Sequence, residues 1–225
     1  MSLIALIGET LLTAATTIGP VLSEAATFLA TKLPVILEKA TICLDAISTV
    51  VTKISEILNI APEGENPQEL GAKTMQEGTR PIGLEETAQE YLDYLRNDVE
   101  LDREKFEKMT NEERLNCEVI GDTMLVKSIE EKTGVELSAE FLLAIPQVHL
   151  QYQTVIALIK TFSNAGILSL NDYTRYIAND MSEVEAEKVG SAVKEAIKEV
   201  TPEMTQEEIQ REIVTMKQEY NTEKY

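Results

Sequence analysis

Residues 22–58 read LSEAATFLATKLPVILEKATICLDAISTVVTKISEIL, and their apolar pattern sets the fold class. Leu22, Ala26, Leu29, Leu33, Ile36, Ala40, Cys43, Ile47, Val50, Ile54 and Ile57 follow one another in steps of four and three without a gap. Such spacing stacks side chains on one face of a helix, so the stretch predicts about five heptads of helix with a core-facing stripe. Leu37, Leu44, Val51 and Leu58 widen the stripe along one flank. Pro34 lies off it, and a proline inside a helix predicts a kink or break there. The opposite face carries Thr27, Thr31, Thr41, Ser48, Thr49, Thr52 and Ser55 where a water-facing helix usually holds Glu and Lys. That face is therefore expected to be half-buried as well.

Upstream, Ile4, Ile7, Leu11, Ala14 and Ile18 predict a helix over 3–18, and Gly19-Pro20 stops it and starts the next. Residues 1–60 thus read as an apolar helical hairpin or a kinked long helix, an assembly or docking module. Downstream, residues 61–84 (APEGENPQELGAKTMQEGTRPIGL) contain three Pro and four Gly and no stripe, which predicts a linker. Residues 85–225 read as an acidic multi-helix bundle. Capping boxes at Thr110/Glu113, Ser182/Glu185 and Thr205/Glu208 open helices there, and Ser138 caps a helix. The Ser138 helix carries Phe141, Ile145, Val148, Tyr152, Val155, Ile159 and Phe162, with Pro146 as a point where it splits or kinks. It is expected to be the central helix of that domain. No run alternates like a strand, and the fold class is all-α.

Composition narrows the functions. The 225 residues carry a net charge of −19, of which residues 1–60 hold only −2. An acidic body does not neutralise phosphates, so the charge disfavours nucleic acid and anionic membrane surfaces as partners, with no nucleic acid expected and a membrane the less favoured partner. Trp is absent and aromatics are 5%, so the core must come from Leu, Ile, Val, Ala and Met, which suits helix packing. Cys43 and Cys117 belong to no C-x-x-C pair and read as free buried thiols, with a single structural disulfide as the alternative. The first basic residue is Lys32, so no cleavable secretory signal is expected, and the chain reads as cytoplasmic or exported by a route without one.

Catalytic chemistry leaves no local mark. His149 is the only histidine and reads as a partly buried, hydrogen-bonded packing residue. No zinc or di-iron ligand spacing, phosphate-binding glycine loop or nucleophile elbow is present. The carboxylates Glu183, Glu185, Glu187, Glu207 and Glu208 read as solvated helix faces, and Tyr91, Tyr94, Tyr173, Tyr176 and Tyr220 as core-edge residues. No enzyme, cofactor or metal is therefore expected. The expectation is an interaction or structural protein, part of a secretion-related or particle assembly. It would dock on a second copy or a protein partner through residues 1–58, with Leu22, Leu29, Leu33, Ile36, Ile47, Val50, Ile54 and Ile57 as contacts. The alternative is a membrane-active protein whose N-terminal hairpin inserts into a bilayer, against which stand Glu9, Glu24, Glu38 and Asp45.

Overall fold

The structure, a computed structural model, describes residues 40–77 and 87–222. Among these residues it is all-helical, with ten helices, no strand, and one isolated parallel bridge between Glu136 and Ser169. The hairpin or kinked helix expected over 1–39, with Leu22, Leu29, Leu33 and Ile36, lies outside the described residues.

The chain divides into two compact units between Glu131 and Lys132. Residues 61–77 of the linker expected over 61–84 fall within the first unit. Unit 1 contains α1 (Ala40–Ile57), α2 (Pro67–Glu77), α3 (Ala88–Asn97), α4 (Arg103–Lys108) and nearly all of α5 (Asn111–Thr133). Helix α2 occupies the first part of the supposed linker. Pro67 is its first residue, where a missing amide hydrogen costs nothing. The Asn66 side-chain oxygen accepts the Gln68 amide, 3.0 Å away. Leu70, Ala72 and Thr74 of α2 are buried.

Gly71, which reads as a loop glycine, is a helix-packing residue. A Cβ there would fall 1.8 Å from the Cys117 carbonyl oxygen. The contact is matched from the other side: a Cβ at Gly121 of α5 would fall 2.1 Å from the Pro67 carbonyl oxygen. Helices α2 and α5 therefore meet backbone to backbone at two glycines, closer than any side chain permits. Helix α5 is the centre of the unit. Every residue from Asn116 to Val126 is buried, so the helix is covered all round rather than along one stripe.

Unit 2 contains α6 (Ala139–Gln147), α7 (Tyr152–Asn164), α8 (Asn171–Ile177), α9 (Glu183–Val200) and α10 (Gln206–Thr222). Helix α7 packs along α9, and α8 sits against α6, α9 and α10. Phe141 meets Tyr173 edge-on, with centroids 5.7 Å apart, and the Tyr173 hydroxyl donates to Met216 Sδ at 3.6 Å. The capping boxes at Thr110/Glu113, Ser182/Glu185 and Thr205/Glu208 all form, as does the Ser138 cap. Another forms at Thr87/Glu90.

The single helix expected from Ser138 through Phe162 is two. Pro146 lies in the last turn of α6, and the chain then turns through Val148, His149 and Leu150 before α7 begins. His149 has a left-handed backbone, φ 52°, and its side chain is exposed. The expectation of a partly buried packing histidine is thereby corrected: the residue sits at the break, not on the helix flank. A β-branched residue tolerates this conformation worst, so His149→Val is expected to lower stability by about 1–2 kcal/mol. His149→Gly relieves the same strain at an entropic cost and should be near neutral. Thermal unfolding of the three proteins, followed by circular dichroism, checks the order.

Candidate functional site

Helix α1 is the described part of the predicted docking stripe. Leu44, Ile47, Val50, Val51 and Ile54 are buried, Val51 and Ile54 completely. Ser48 and Ser55 join them on the same face, while Asp45, Thr49 and Lys53 face water. The expected half-burial of the Thr/Ser face thus holds for Ser48, Thr52 and Ser55 and fails for Thr49. Of the predicted contacts, Ile47, Val50 and Ile54 are taken up by the chain's own core and are not free to a partner while unit 1 is folded. Ile57, at 50% exposure, is the one described contact presented outward. The periodicity shows that 47, 50 and 54 are buried, but not by what.

The face that α1 turns inward meets an unusual set of polar groups on α5. The Ser48 hydroxyl donates to Asp122 Oδ1 at 3.1 Å. One turn earlier on α5, Glu118 Oε2 accepts from Gln68 Nε2 of α2 at 2.8 Å. Asp122 and Glu118 are 6% and 8% exposed. The second Asp122 oxygen and the Ser55 hydroxyl are buried without a hydrogen-bond partner. Burial pushes the Asp122 carboxyl well above the usual carboxylate range, the neighbouring Glu118 charge adds to this, and the Ser48 hydrogen bond opposes it. Asp122 is therefore a buried acid at the α1–α5 contact whose neutral form burial favours. Its signal in the sequence is an acid set in the run Val119-Ile120-Gly121-Asp122-Thr123-Met124-Leu125-Val126, where an exposed residue would interrupt a core helix.

The other candidates are structural. Glu185 and Glu208 close capping boxes, and hydrogen bonds from the Ser182 hydroxyl and the Thr205 amide hold their carboxyls below the usual range. Glu183, Glu187 and Glu207 are exposed. Tyr91, Tyr173, Tyr176 and Tyr220 are buried and Tyr94 half-buried. Cys117 is a free, buried thiol. Among the described residues no helix is long and apolar enough to cross a membrane. Likewise, no three His, Cys, Asp or Glu side chains among them converge as a metal site.

No protein-family model, curated protein or solved structure matches the chain. The functional reading therefore rests on its own residues.

Proposed function

We propose that the chain is a non-enzymatic interaction protein that assembles or docks through its apolar N-terminal stripe, with α1 as the anchor and the residues upstream as the contact. The observation that carries this reading is the burial of α1 within unit 1. The stripe that enters the core at Ile47, Val50 and Ile54 runs back in the sequence to Ile36, Leu33, Leu29 and Leu22 in the same steps. We take Leu22, Leu29, Leu33 and Ile36, which share this stripe in the sequence, as the contacts with a second copy or a protein partner. Burying four such side chains contributes several kcal/mol at about 25 cal/mol per Å². The acidic body, with −17 of the net charge in residues 61–225, keeps such an assembly in solution.

Light scattering of the full chain tests the proposal. The mass should exceed the 25.0 kDa of one chain, and Leu29→Asp should return it to that value with the helical signal retained. An unchanged mass and an unchanged melting curve for Leu29→Asp overturn the reading. By contrast, Ile54→Asp buries a charge in unit 1 and should cost the fold itself.

A further inference from the structure

We propose that Cys117, Met75 and Met109 form a three-sulfur site for a soft monovalent metal ion, copper(I) or silver(I). The three side chains come from three places in unit 1: Met75 from α2, Met109 from the residue that ends α4, and Cys117 from α5. Cys117 Sγ lies 3.7 Å from Met75 Sδ and 3.9 Å from Met109 Sδ. A thiol has one hydrogen and can donate to one of these thioethers, so two at this range exceed what hydrogen bonding needs. Three sulfurs around one ion at metal–sulfur bonds of about 2.3 Å, as in zinc–thiolate sites, would stand about 4.0 Å apart in a trigonal plane. The two Cys117 separations already match that spacing.

The fold holds the spacing in place. Met75 lies one helical turn after Gly71, and Gly71 is the point where α2 touches the Cys117 backbone. The backbone contact between the helices therefore sets the distance between Met75 and Cys117. Cys117 also belongs to an apolar cluster with Ala72, Leu101 and Phe106, against which Met109 packs. Met75 is 39% exposed and gives the ion a path from water, while Cys117 is fully buried.

The donor set selects the metal: one thiol and two thioethers against an apolar cluster suit a soft monovalent ion. As the sulfur–metal bond forms, the thiol proton leaves to water, and the thiolate with one positive charge is neutral in its apolar surroundings. A divalent ion would leave a net charge buried, and thiolate with thioether is the donor set that soft copper(I) prefers. No spacing motif announces the site, because its members stand 42 and 8 residues from Cys117.

The test is anaerobic copper(I) titration of the full chain carrying Cys43→Ser, against a coloured copper(I) chelator. One ion per chain should be taken from the chelator. Met75→Leu and Met109→Leu conserve volume and should keep the helical signal. Each should weaken copper binding by at least the about 10–100-fold that loss of an outer-shell partner costs a metal site. Cys117→Ser should abolish binding. Failure of the parent to bind overturns the proposal, as does binding unaffected by Cys117→Ser. Equal affinity in the parent and both methionine variants also overturns it, since that is the behaviour of a lone thiol.

Discussion

Gly71→Ala is expected to destabilise unit 1 by about 3 kcal/mol or more, the upper end of overpacking effects, because the atom it meets is backbone. Helix propensity alone gives the opposite sign. Alanine in a helix interior is favoured over glycine by about 1 kcal/mol. At Gly71 the new methyl would lie 1.8 Å from the Cys117 carbonyl oxygen, inside any van der Waals contact. The two helices must separate, and separation uncovers Leu70, Ala72 and Thr74 on α2. Gly121→Ala, at 2.1 Å from the Pro67 carbonyl oxygen, should behave alike for the same reason. Gly190→Ala is the control. Its Cβ would meet the Tyr176 ring and hydroxyl at 3.0–3.2 Å, a side-chain contact that needs a shift of only a few tenths of an ångström, so its loss should be smaller. Urea unfolding of the four proteins, followed by circular dichroism, measures the differences. A gain in stability for Gly71→Ala would mean that α2 and α5 do not touch.

The parts of the fold that local chemistry decides could be read from the chain, and the parts that depend on a distant partner could not. The all-α class followed from the three–four spacing of the apolar residues. The helix starts followed from Ser138 and from Thr or Ser three residues before Glu, because a cap is closed within one turn. Pro67 and Gly71 misled for a shared reason. Either residue ends structure in isolation, yet Pro67 opens a helix and Gly71 admits the backbone of residue 117, which lies far along the sequence. The stripe from Leu22 to Ile57 announced burial correctly for Ile47, Val50 and Ile54, but periodicity carries no information on whether the cover is a partner or the same chain. His149 was misplaced because an unbroken stripe on both sides of it concealed a turn. The sulfur cluster left no trace because its residues meet only once α2, α4 and α5 are packed.

Asp122→Asn is expected to raise stability at neutral pH, because asparagine removes an ionisation that burial opposes in the folded protein. Asparagine keeps an oxygen for the Ser48 hydroxyl, matches the shape of the acid and cannot ionise. The sign follows from linkage. The Asp122 carboxyl is held above its ordinary 3.8 in the folded protein by burial and by the Glu118 charge. Below 3.8 both the folded and the unfolded chain carry the proton, so the group exerts no pull on the equilibrium. Above that value the unfolded chain releases its proton while the folded one retains it, and the stability from this group falls with each step in pH. The fall ends once the folded carboxyl itself ionises. Other carboxylates titrate over the same range in both proteins, so the informative quantity is the difference between wild type and Asp122→Asn. That difference should be close to zero near pH 3.5, widen in favour of Asn as the pH rises from there, and level off on the alkaline side. Urea unfolding at several pH values from 3.5 to 8 measures it. A difference that stays flat, or that favours Asp at pH 7, would mean that the carboxylate is ionised and paired. The α1–α5 contact would then depend on a positive charge facing Asp122, and lowering the pH would loosen the anchor of the docking stripe where the present geometry has it tighten.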